Sequence, residues 1–146
     1  VDLFSYDIND IELSQQISRF ISTDRASLLR LAKELVRIFT DRLNVKALRN
    51  ISNHKDKEKL GSNKLLQDIV AQETGDDNAY KIFGVIIGVY DMRLGDAHPT
   101  SSKIGDALNL AGIDENKSFL RQGEQLISNF GQAIWHIGQS IFRKSE

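Results

Sequence analysis

The sequence predicts an all-α fold, a compact bundle of five to seven helices. Three observations carry that expectation. Apolar residues recur at three-to-four spacing through most of the chain, the period of a helix with one buried face. No segment alternates apolar and polar residues for long enough, beside a partner, to form a strand. The only proline is Pro99, so nothing interrupts the long periodic stretches on either side of it. At 146 residues the chain has the length of one domain and can bury roughly two thirds of its unfolded surface without staples. Residues 1–146 are accordingly read as a single helical domain. The first residue is Val1 rather than methionine, as in a processed chain or a piece of a longer protein.

Ile11, Leu13, Ile17, Phe20 and Ile21 mark a short first helix. Thr23 or Asp24 then caps a longer one that carries Leu28, Leu31, Ala32, Leu35, Phe39 and Leu43 on one face. From His54 to Asn63 the charges alternate and the segment closes on Gly-Ser-Asn, the composition of an exposed loop. Ser62 is placed to cap the next helix, whose apolar residues are Leu65, Leu66, Ile69 and Val70. Gly75, Asp76 and Asp77 stop that helix and start its successor.

The successor, Ala79 to Leu94, is apolar on most of its surface and is expected at the centre of the bundle. Its β-branched run Val85-Ile86-Ile87 would suit a strand, but no other segment offers a pairing partner. Gly84 and Gly88 lie four apart on one face and would admit a neighbouring helix, each at a cost of about 1 kcal/mol in propensity. Gly95 is expected to end this helix and Pro99 to prevent its resumption. Ser101 or Ser102 then caps a short helix that stops at Gly112. Asp114 or Asn116 opens the last helix, on which Phe119, Gly123, Leu126, Phe130, Ala133, Ile137 and Ile141 form one seam. The expected core is Leu35, Phe39, Phe83, Ile87, Leu108, Leu126 and Phe130.

Composition excludes several functions. There is no cysteine, which rules out disulfides, thiol catalysis and thiolate-bound zinc, and suits a reducing, cytoplasmic setting. The net charge of −1 argues against a broad basic surface for coating long nucleic acid. No secretory signal is visible, and the most apolar run, Ile82–Tyr90, is about half of what a bilayer requires, so no membrane segment is expected.

One short pattern occurs twice: arginine followed five residues later by histidine, in Arg49-Asn50-Ile51-Ser52-Asn53-His54 and in Arg93-Leu94-Gly95-Asp96-Ala97-His98. Nine arginines and three histidines scattered at random would give about 0.2 such pairs. An arginine holds phosphate and a histidine moves a proton near neutral pH. On an unbroken helix residues five apart diverge by about 140° around the axis, so the pair converges only where the helix breaks. In the second copy Gly95 and Pro99 would supply that break, and Asp96 could orient the imidazole. In the first copy Asn50, Ser52 and Asn53 are the breakers.

In these residues the chain resembles the HEPN family, compact helical bundles whose signature is an arginine, four to six intervening residues and a histidine. The resemblance implies a metal-independent endoribonuclease of toxin–antitoxin or antiviral defence systems. It implies equally a family member that has lost activity and serves as a binding module. The two copies divide the family's features. Asn50 supplies the polar residue that often follows the arginine, where the other copy has Leu94. Only Arg93 and His98 lie late in the bundle, beside the final helices, where the family motif usually sits.

Arg93, His98 and Asp96 are therefore the first candidate site, and Arg49, Asn50 and His54 the alternative. The resemblance implies His98 as general base or acid and Arg93 as the stabiliser of charge on the phosphate. One histidine cannot easily fill both roles, so a homodimer is expected, through the final helix with its Gly123, Gly131 and Gly138 or through the face beside His98. RNA and an antitoxin or regulatory protein are the other expected partners.

The remaining candidates read as structural. Asp91, Asp96 and His98 offer oxygen and nitrogen ligands, but no second histidine sits at ligand spacing, so neither metal nor other cofactor is expected. His136 beside Trp135 reads as a packed or interfacial residue. Lys55, Lys57 and Lys59 alternate with Asp56 and Glu58 as in a solvated loop, and Glu73, Asp76 and Asp77 read as cap residues. The function that competes with RNA cleavage is a non-catalytic helical interaction or nucleotide-binding module, either a degenerate HEPN domain or an unrelated bundle.

Overall fold

Six α-helices account for most of the chain: α1 Arg25–Ile38, α2 Val45–Ile51, α3 Ser62–Thr74, α4 Asp76–Ala97, α5 Lys103–Leu110 and α6 Phe119–Arg143. The computed structural model describes residues 3–7, 9–12, 15, 21–97 and 103–143, and residues 9–12 are also helical. Single 3₁₀ turns lie at Thr40–Arg42 and Lys57–Lys59. Among the described residues the nearest thing to a strand is one isolated antiparallel bridge, Phe4 with Leu43.

The helix ends follow from local chemistry. Asp24 caps α1 by accepting from the Ser27 amide at 2.8 Å, and the Ser27 hydroxyl accepts in turn from the Asp24 amide. Hydrogen bonding to its carboxylate from the Ser27 amide, and then from the Ser27 side chain, holds the Asp24 carboxyl below its ordinary pKa. Asn44 caps α2 through the Ala47 amide. Gly75, at φ +86°, closes α3, and Asp76 and Asp77 then place negative charge on the first turn of α4. At the end of α5, Gly112 takes φ +72°. Its amide donates to the Asn109 carbonyl and that of Ile113 to the Leu108 carbonyl, a Schellman closure with buried Leu108 and Ile113 on its apolar side.

Two expected caps move. Gly61, not Ser62, is the N-cap of α3. The last helix begins at Phe119 rather than near Asp114 or Asn116, with the Ser118 hydroxyl accepting from the Arg121 amide.

Helix α4 is the hub, packed against α1, α3, α5 and α6. Phe83, Ile86, Val89 and Met92 are fully buried along it. Of the expected core, Leu35, Phe39, Phe83, Leu108, Leu126 and Phe130 are buried, whereas Ile87 is only partly so. Phe39 joins the ends of the core, meeting the Phe130 ring edge-on at 5.8 Å and the Phe4 ring at 5.6 Å.

The N-terminal segment straps the Thr40–Arg42 turn. The Ser5 amide donates to the Arg42 carbonyl, the Asn44 amide to the Leu3 carbonyl, and Arg42 Nε to Asp10 Oδ1 at 2.7 Å. Burial pushes the Asp10 carboxyl up, but the bonds from the Asp7 amide and Arg42 outweigh it and hold the pKa below the usual value. Of the apolar residues expected to bury the first helix, Ile11 and Ile21 are exposed, and Leu13, Ile17 and Phe20 lie outside the described residues.

The glycines sort by what surrounds them. A Cβ on Gly88 would stand 2.6 Å from the Ala111 nitrogen and 2.7 Å from the Ala107 oxygen, so this glycine lets α5 approach α4. One on Gly84 would meet nothing within 4 Å. Gly95 does not end α4: the helix runs to Ala97 and Gly95 has no positive φ. Its missing side chain instead makes room for Ile104, whose Cγ1 would be 2.9 Å from a Cβ. Packing between α4 and α5, rather than capping, explains glycine there.

Candidate functional site

Arg93 projects from the last turns of α4, and the structure gives it two partners, one remote in sequence and one a helical turn back. Its Nη1 donates to both carboxylate oxygens of Asp41, at 3.2 and 3.4 Å. Its guanidinium carbon stands 5.1 Å from the centre of the Tyr90 ring, one helical turn back. The Arg93 side chain is 30% exposed. Asp41 belongs to the 3₁₀ turn held by the N-terminal strap, so the arginine is oriented from one side by an anchored carboxylate and from below by a ring.

His98 lies outside the described residues, as do Pro99, Ser101 and Ser102, and of Asp96 only the helical backbone is described. The helix break expected at Gly95 is absent, and α4 runs unbroken to Ala97. Asp91, near this end of α4, carries a pKa raised by burial, with Lys103 pulling the other way. Among the described residues no three of histidine, aspartate, glutamate and cysteine are grouped to hold a metal.

The other copy is divided by its own contacts. α2 ends at Ile51, as its breakers predict, and the buried Ser52 hydroxyl donates to Asp68 Oδ2 at 2.8 Å. Arg49 turns towards Glu58, with Nη2 donating to its carbonyl at 3.3 Å and Nε 3.8 Å from its carboxylate. Asn50 is exposed on α2. The imidazole of His54 accepts at Nδ1 from the Asp56 amide at 3.0 Å, which leaves Nε2 as the ring's N–H donor. That ring lines an open cleft of about 530 Å³ between the loop, α3 and the start of α4, with Lys64, Asp68, Asp76, Asp77 and Tyr80. Arg49 does not line it.

Three features here escaped sequence reading. Asp41 is 52 residues from Arg93 and no spacing signals the pair. Tyr90, three residues before Arg93 on a helix, was detectable from i,i+3 geometry. Trp135 and His136, side by side on α6, are both solvent-exposed and line a groove against α4, so His136 is not packed in the core. The Lys55, Lys57 and Lys59 segment is a loop with one 3₁₀ turn, as expected, although Lys57 Nζ reaches the Ser52 carbonyl at 3.3 Å.

No family model, no curated protein and no solved structure matches the chain. Among the described residues no helix is long and apolar enough to cross a membrane.

Proposed function

We propose that this chain is a HEPN-like, RNA-directed domain in which Arg93 holds the scissile phosphate and His98 transfers the proton. The observation that carries this reading is the fixed, partly exposed guanidinium at the end of α4. Asp41 meets Nη1 alone, and a guanidinium carries five N–H donors, so that contact orients the fork while using a fraction of its capacity. A phosphate approaching the other edge finds the cation already placed, which is how preorganised charge lowers a barrier.

The chemistry is transesterification. The 2′-hydroxyl gives its proton to a histidine, its oxygen attacks phosphorus, and the 5′-oxygen leaves with a proton from an acid. The products are a 2′,3′-cyclic phosphate and a 5′-hydroxyl. Two protons move in opposite directions, so two histidines related by a two-fold axis are the simplest arrangement. Leu94 follows Arg93 in sequence and is 56% exposed, an apolar side chain suited to a second copy packed beside the site. A toxin-type effector of this kind would also take a regulatory protein partner.

A second reading is favoured by a specific observation. The unbroken helix through Gly95 and the Asp41 pairing of Arg93 suit a structural arginine in a non-catalytic interaction module. RNA cleavage by purified variants separates the two. Arg93→Ala or His98→Ala abolishes cleavage on the catalytic reading while Arg49→Ala and His54→Ala retain it. The reverse pattern moves the site to the other copy, and a wild-type chain that leaves RNA intact overturns the catalytic reading in favour of the interaction module.

A further inference from the structure

We propose that the groove between the first half of α4 and the second half of α6 binds single-stranded RNA, with Trp135 as the stacking surface for a base. The inference rests on RNA as the substrate class proposed above, and not on which residues cut it. Two adjoining hollows, of about 440 and about 260 Å³, lie between these helices and share Lys81, Ile82 and His136. Trp135 is the only tryptophan of the chain and is 61% exposed. The His136 ring stands edge-on to it at 5.1 Å, which steadies the indole at the rim.

The lining matches the parts of a nucleotide. Ile82 lines the same hollow as the indole, and Val85 extends the apolar wall into the adjoining one. Asn78, Gln132 and Gln139 carry amides, each able to donate to and accept from a base edge. Among the described residues, Lys81 and His136 are the only ionisable side chains of the lining, which includes no carboxylate. That charge balance selects a phosphate-bearing ligand over a basic peptide. The cleft beside His54, with Asp68, Asp76 and Asp77, has the opposite balance. Stacking on an exposed ring requires bases free of a duplex, so the ligand is single-stranded. With one lysine in the lining, the groove neutralises about one phosphate, and its affinity depends only weakly on salt.

The sole tryptophan provides the test, because a stacked base quenches its fluorescence. A single-stranded oligoribonucleotide of about ten nucleotides is titrated into the full chain, with the duplex of the same sequence as control. Saturable quenching by the single strand and none by the duplex is expected. By anisotropy of the labelled strand, Trp135→Ala weakens binding about tenfold or more, and Trp135→Phe, which keeps an aromatic face, restores most of it. Arg93 lies outside the groove, so quenching that survives Arg93→Ala supports the groove whether or not that variant cuts RNA. RNA cleavage by the wild type without quenching overturns the groove and leaves the proposed function standing. Absence of any RNA binding overturns both. A change in tryptophan emission that tracks protein concentration without RNA overturns the groove as an RNA site and makes it a contact between two copies.

Discussion

Arg93 has a structural duty and a proposed chemical one, and the two make different demands on Asp41. As a tie between α4 and the strapped turn, the pair is partly exposed on both sides, so its stabilisation is screened and small. A double-mutant cycle with Arg93→Ala and Asp41→Ala should return a coupling of about 0.5 kcal/mol that shrinks in high salt. Thermal melting of Arg93→Ala beside the cycle should show it folded at about 25 °C, so that its loss of cleavage reports on chemistry. Asp91 makes a separate prediction at the same end of the helix. Burial raises its pKa in the folded chain, so the ionised carboxylate disfavours folding above that pKa, and the penalty vanishes as falling pH protonates it in both states. Asp91→Asn should therefore raise the melting temperature at pH 7 and lose that advantage on acidification towards the ordinary aspartate value of 3.8.

Helix packing turns on which glycines are spaces for a neighbour. Gly88→Ala would drive a methyl group against backbone atoms of Ala107 and Ala111, and should destabilise by about 1–3 kcal/mol despite its gain in helix propensity. Gly84→Ala meets nothing and should be neutral or stabilise by up to about 1 kcal/mol, which chemical denaturation of the pair checks. Sequence reading placed these two glycines together because spacing shows a shared face and not what stands opposite. The same limit explains Gly95, read as a cap although Ile104, nine residues on, is what requires it. The seams of α1 and α6 were legible because burial at helical period is a local property: Leu28, Leu31, Leu35, Leu126, Phe130 and Ile137 are buried as expected. Residue types at the candidate site were legible too. Of its partners, Tyr90 is legible one helical turn back, whereas Asp41 reaches Arg93 only through the tertiary fold.

At the scale of the whole molecule, the proposed mechanism draws its two histidines from two chains. The three glycines of α6 do not form one contact stripe. A Cβ on Gly123 would press on Ser22 of the same chain, whereas Gly131 and Gly138 face open space. The proposed dimer surface is therefore the one beside Arg93, where Leu94 is exposed. Light scattering at micromolar concentration should find a dimer, and Leu94→Glu should yield monomers that no longer cut RNA. A wild-type monomer that still cuts would rule out a shared site. The most direct measurement of the central claim is end-group analysis of RNA incubated with purified wild-type chain in EDTA, beside Arg93→Ala and His98→Ala. The account predicts fragments ending in 2′,3′-cyclic phosphate from the wild type and intact RNA from both folded variants. Intact RNA in every lane, or cleavage that persists without His98, would contradict it.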